Sequence, residues 1–217
     1  MPIKAQFALS LVSALALSAC IPFSKKPEAA PNNSAFSAPD ARLCLTGLER
    51  AKIAFAALPD KNYGGGCQAV NAVRLIDFGI PTSNLGPMTC SLASGFTGWT
   101  RDIVRPAARK YLGSDLARVE TSGTYSCRRV SGTGNLSQHA SANAVDVFAF
   151  VTKDGRRITV LDGWNGKSGE AKFLRQIHAD ACARFGTVLG PAYNAQHRNH
   201  FHLDMAPSRL GGKAFCR

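Results

Sequence analysis

The chain lacks most of the signatures that would assign it at sight. None of its seven cysteines forms a C-x-x-C pair, which excludes a zinc ribbon. There is no G-x-S-x-G elbow, so a Ser-His-Asp hydrolase would be without its usual nucleophile turn. There is no H-E-x-x-H helix either, and hence no zincin-type general base. Acidic residues are few, 14 against 26 Lys and Arg, giving a formal net charge of +12. That excess suits nucleic acid, anionic lipid or an acidic polymer. No long Lys/Arg run or basic helix accompanies it, so nucleic acid is not an expected partner. No internal repeat is present, and no hydrophobic run is long enough to read as a membrane span.

What is there begins with "MPIKAQFALSLVSALALSAC". Lys4 supplies a short basic region, and a brief apolar stretch leads to "LSAC", the pattern of a bacterial lipoprotein signal. Residues 1–19 are expected to be a signal peptide, with Cys20 as the lipidated first residue of the mature chain. Residues 20–41 are rich in Pro, Ala, Ser and Asn and read as a tether. Setting Cys20 aside leaves Cys44, Cys67, Cys90, Cys127, Cys182 and Cys216. In an exported chain this even number predicts three disulfides, whose pairing the sequence does not choose.

The region 42–217 is expected to form one domain. Helical spacing predicts a helix running from Ala41 to Pro59. A second covers 93–112, with Phe96, Trp99, Ile103, Ala107 and Tyr111 on one face and a kink or restart at Pro106. A third covers "SGEAKFLRQIHADACARFG", with Phe173, Leu174, Ile177, Ala181 and Phe185 as its buried stripe. Strands are predicted at "RVETS", "AVDVFAFV", "RRITVLDGW" and "HFHLDM", and residues 68–80 read as a strand or a short helix. Helices first and strands later give an α+β fold: a small antiparallel sheet with flanking helices, stapled by disulfides.

Two segments carry chemistry. In "AVDVFAFV", strand alternation places Ala144, Asp146, Phe148 and Phe150 on one face. Asp146 is then a carboxylate on an apolar ribbon, and a buried carboxylate requires a cation, strong donors or a metal. His139 stands in the polar loop just before it. In "HFHLDM", His200, His202 and Asp204 face one way while Phe201, Leu203 and Met205 face the other. One of two such imidazoles, roughly 7 Å apart along a strand, ligates a metal while the other overlooks the open position. His139, Asp146 and His202 thus form a candidate ligand set for catalytic zinc. The same set resembles the facial triad of non-haem iron, but an exported disulfide protein is a poor home for Fe(II), and zinc is favoured. His200 is the candidate general base, and Arg128, Arg129 and Arg198 are candidates to stabilise an oxyanion, Arg128 first. His197 has no assigned role.

"SQHASANAVDVFAF", "FLRQIHADACARFGTVLGPAYNAQHRNHFHLD" and the spaced cysteines resemble the bacterial extensin-like protein C-terminal domain family, over roughly residues 42–217. The S-x-H and A-x-D elements and the terminal H-x-H also resemble the zinc peptidases of the D-Ala-D-Ala carboxypeptidase and murein endopeptidase group. That likeness implies zinc on His139, Asp146 and His202, with His200 as base or transition-state stabiliser. It further implies peptidoglycan as substrate. Ala142 departs from the group's Gly, and a loop needing positive φ there would be strained. The expectation is a periplasmic zinc peptidase anchored by Cys20 to a bacterial membrane, most simply the outer one. The rival is a wall-binding or scaffold lipoprotein that keeps the fold without turnover.

Overall fold

The computed structural model describes Met1 and residues 38–166, 168–207 and 213–217. The expected signal peptide beyond Met1, Cys20 and nearly all of the expected tether lie outside the described residues. No described helix is long and apolar enough to cross a membrane.

Helix α1 spans Ala38–Arg50, so regular structure begins four residues before the expected boundary at 42. It also ends well before Pro59. Lys52 takes a left-handed conformation, Ile53 turns into the core, and Ala54–Ala57 form strand β1. The helical spacing of residues 51–58 is overridden by pairing with a later strand. Lys61–Gly64 (β2) and Cys67–Ala69 (β3) form a hairpin around three positive-φ glycines. Ala72–Asp77 (β4) pairs with β1 and with Met88–Thr89 (β6), which resolves residues 68–80 as strand. Between them lies the short β5, Thr82–Ser83.

Thr89 caps helix α2, Cys90–Trp99, accepting a hydrogen bond from the Leu92 amide. The helix continues through two wide π-type stretches on either side of α3, Arg105–Ala107, to Gly113 in the left-handed conformation. Pro106 lies at the centre of this run. Its ring and missing N–H forbid a regular α-turn, and the wide turns let the helix continue past it. Phe96, Trp99, Ala107 and Leu112 are buried, and Trp99 Nε1 donates to the Ile177 carbonyl at 3.0 Å.

Leu116–Thr121 (β7), Ala144–Thr152 (β8), Arg157–Thr159 (β9), Thr187–Leu189 (β10), Phe201–Asp204 (β11) and Phe215–Cys216 (β12) join β5 in one seven-stranded sheet. Its order is β12-β10-β11-β8-β7-β5, with β9 also on β8. The expected antiparallel pairing holds for the interior strands, while the outer pairs β5/β7 and β10/β12 are parallel. The predicted strand "RRITVLDGW" stops at Thr159, whose hydroxyl accepts from the Asp162 amide and starts the short helix α4, Val160–Gly163. Helix α5, Ser168–Ala181, buries Phe173, Leu174 and Ile177 against the sheet. Strand β8 departs from simple alternation. Opposite β7, Ala149 faces Glu120 and Val147 faces Thr121, so Phe148 is left as a bulge. Phe150 therefore turns into the core rather than joining the face of Asp146, and Phe148 lies half-buried beneath Arg157.

All six cysteines are paired: Cys44 with Cys90, Cys67 with Cys127, and Cys182 with Cys216. Each closes a long loop and removes entropy from the unfolded chain, typically about 2–4 kcal/mol apiece. None is left as a thiol nucleophile, and the full set fits an oxidising, extracytoplasmic compartment.

Ala142 sits just after a single 3₁₀ turn, Gln138–Ser141, at φ 54 and ψ 30. The positive φ foreseen for a glycine here is thus carried by an alanine, fully buried against Ala69 and Ala72. Three terms decide what Ala142→Gly does. Relief of left-handed strain gains about 1–2 kcal/mol, loss of a buried methyl costs about 0.8 kcal/mol, and glycine's extra freedom costs about 0.5–1 kcal/mol. They nearly cancel, so Ala142→Gly is expected to unfold within about 1 kcal/mol of wild type. Ala142→Val adds β-branching and overpacking and is expected to lose about 2–4 kcal/mol. Denaturant titration of both variants measures this, and a well-tolerated valine would contradict the strained geometry.

Candidate metal centre

The site is built by register. Strands β8 and β11 run antiparallel with Asp146 directly opposite His202, so both side chains leave the sheet on one face. On the opposite face Val145, Val147, Phe201 and Leu203 are buried in the core and fix both strands. His139 enters from the 3₁₀ turn that leads into β8, where the Ser137 hydroxyl accepts from its backbone N–H. Among the described residues these three are the group whose ligand atoms gather within 4.8 Å of one another.

His139 Nε2 lies 3.1 Å from Asp146 Oδ1 and 3.2 Å from His202 Nδ1, and His202 Nδ1 lies 2.9 Å from Asp146 Oδ1. The outer nitrogens are already committed. His139 Nδ1 is 3.2 Å from the Thr124 carbonyl, and His202 Nε2 is 3.0 Å from Asp204 Oδ2. Both partners only accept, so each outer nitrogen carries the hydrogen and donates. In the neutral rings the inner nitrogens then present lone pairs to each other and to a carboxylate oxygen. Such an arrangement is repulsive until a proton or a metal ion enters it. A tetrahedral site with bonds near 2 Å separates its ligand atoms by roughly 3.3 Å, close to the spacing found here. Histidines held from behind by a carbonyl and a carboxylate are the usual second layer of a metal site. The donor set therefore fits a divalent metal ion.

The electrostatics follow. Burial opposes charge on Asp146, but hydrogen bonds and charge from His139 and His202 outweigh it and hold the carboxyl well below the ordinary carboxylate range. Burial likewise disfavours a charged His202, yet Asp146 and Asp204 on either side raise its pKa above the ordinary histidine value. In metal-free protein His202 is thus an imidazolium clamped by two carboxylates. That contribution to stability is complete below the unfolded-state pKa of about 6.5. It is lost as pH rises through the raised value. A metal must displace this proton. Near pH 7 metal binding is expected to release about one proton, and apparent affinity should climb roughly tenfold per pH unit below the raised pKa. Calorimetric titration in buffers of different ionisation enthalpy counts the proton. Uptake with no proton release would overturn this account of His202.

His200 precedes β11 and is half-buried, with Nε2 3.7 Å from Asp146 Oδ1 and Nδ1 2.9 Å from Asn199 Oδ1. Its Nδ1–H donates to Asn199, so the nitrogen nearer Asp146 is Nε2 with its lone pair free. Burial lowers its pKa, helped by His202, His139 and Arg128 and opposed by Asp146. Arg128 approaches the same carboxylate, Nη2 to Oδ2, at 3.9 Å. Arg129 instead donates to the Gly134 carbonyl within its own hairpin, and Arg198 is exposed on the loop before β11.

Sequence reasoning missed three participants. Asp204 was placed on the face of His202 but given no partner; the H-x-D spacing on one strand is the signal that could have found it. The Thr124 carbonyl is a backbone group and leaves no signal in residue identity. His197 packs its ring 5.2 Å from His200 and 6.1 Å from His202, centroid to centroid. Burial and the neighbouring imidazoles push its pKa down to about 4.

Fold and site together define an α+β, disulfide-stapled domain whose buried His-Asp-His group could hold a metal ion. The chain belongs to the family described as Extensin-like protein C-terminus, which matches residues 42–217. No curated protein and no solved structure matches it.

Proposed function

We propose that this protein is a lipid-anchored, zinc-dependent peptidase that hydrolyses peptidoglycan stem peptides or crosslinks. The observation that carries the reading is the convergence of His139 Nε2, His202 Nδ1 and Asp146 Oδ1, with both outer N–H groups already engaged and His200 Nε2 3.7 Å from the shared carboxylate. Zinc held there would supply Lewis acidity, activating water and polarising a carbonyl. The chain's own residues do the rest. His200 Nε2, a free base at neutral pH, takes the proton released as water attacks and returns it to the leaving amine. Arg128, anchored at the rim by Asp146, offers its guanidinium to the charge that develops on the carbonyl oxygen. The net charge of +12 favours an anionic wall polymer, and cysteine-stapled architecture suits the periplasm. Sacculi incubated with metal-loaded protein should gain free amino groups, and chelator should stop the gain. Sacculi that stay unchanged with metal bound would rule the activity out.

The anchor has its own test. Cys20→Ser should leave the precursor uncleaved or release the protein from the membrane fraction, because the thioether-linked lipid is lost. An unchanged mature mass and unchanged fractionation would contradict lipidation.

A further inference from the structure

Beside the metal centre lies a second feature that the proposed chemistry does not use. Tyr193 is 42% exposed although its ring is braced on two sides. Phe215 meets it edge-on at 5.9 Å and 89°, and His197 meets it at 5.4 Å and 60°. An exposed aromatic ring normally has rotational freedom to lose on binding; this one is already held. His197 in turn touches both His200 and His202, so the ring stands two ring contacts from the metal ligands.

The surrounding loop has a particular chemistry. "YNAQHRN" contains no carboxylate and no large aliphatic side chain. Asn194, Gln196 and Asn199 are exposed, and each spends one end of its amide internally. Asn194 Oδ1 caps the turn Ala195–His197, Gln196 Nε2 donates to Ser131 Oγ at 3.0 Å, and Asn199 Oδ1 accepts from His200. The other end of each amide has no partner among the described residues. A braced, exposed aromatic ring followed along the same loop by amides with one free end each suits a pyranose, which offers C–H bonds on one face and hydroxyl and acetamido groups around its edge.

We infer that Tyr193 and its amide-bearing loop form a sugar-binding subsite that holds the glycan strand while an attached peptide reaches the metal centre. This rests on the peptidoglycan reading above and names which part of that polymer the loop grips.

The test uses the full-length protein and peptide-free glycan strands, prepared by stripping the stem peptides from sacculi. Wild type should bind the strands, with metal or with chelator present. Tyr193→Ala should weaken binding about tenfold, while Tyr193→Phe, which keeps the ring, should bind like wild type. Both variants should keep their metal content and cleave a sugar-free stem peptide at the wild-type rate. Glycan binding that is absent, or that is unaffected by Tyr193→Ala, would overturn the subsite while leaving the peptidase reading intact. Glycan binding without cleavage of any peptide would sustain the subsite and remove the peptidase.

Discussion

Asp146→Ala protein is expected to bind no divalent metal and to gain no stability when metal is added. Asp146 Oδ1 is the atom that both inner imidazole nitrogens face, at 2.9 and 3.1 Å. Without it the remaining two nitrogens cannot compensate the charge of a dication in a buried site. The same loss is expected for His139→Ala and His202→Ala, since each removes one of three protein ligands. Wild type with free metal a thousandfold above its Kd should gain about 4 kcal/mol. For a domain of this size that is a rise in melting temperature of roughly 8–16 °C. In Asp146→Ala the rise should vanish. The metal-free variant should also be weaker than metal-free wild type by about 1.5–3 kcal/mol, because His202 loses a charged hydrogen-bond partner. Elemental analysis and thermal melts with and without metal measure both effects. Full zinc occupancy in His139→Ala would remove that residue from the ligand set.

His200→Ala should give the opposite split: full metal content, unchanged metal-induced stability, and turnover lower by about 10²–10⁴-fold. His200 Nε2 lies 3.7 Å from Asp146 Oδ1, close enough to the ligand set to exchange a proton with a water bound there. Its lowered pKa keeps Nε2 unprotonated through neutral pH, so the acid limb of the rate profile should fall below the ordinary histidine range. The rival reading, a wall-binding protein without turnover, predicts that this substitution changes nothing measurable. Retention of full activity by His200→Ala would reassign the base.

Much of this site is legible in residue types alone. Strand alternation is set by local geometry, so "HFHLDM" could be sorted into a histidine face and an apolar face from residue types alone. The same logic marked Asp146 as an ionisable group on an apolar strand in need of compensation. What alternation cannot show is a change in residue count between partners. The bulge at Phe148 depends on how β7 meets β8, and it reversed the face of Phe150. Similarly, residues 51–58 have helical spacing, yet β4 supplies a pairing partner that makes Ala54–Ala57 a strand. The disulfide partners followed from neither composition nor count; they depend on where α1, the β2–β3 hairpin and β12 come to lie. Asp204 and the Thr124 carbonyl belong to the layer behind the ligands, where the partner is chosen by tertiary geometry rather than by motif.

The most direct test of the account is mass spectrometry of purified muropeptides incubated with the zinc-loaded protein. Shortened stem peptides or separated crosslinks should appear, disappear with chelator, and return when zinc is restored. Muropeptides of every stem and crosslink type left intact, with zinc shown to be bound, would contradict it.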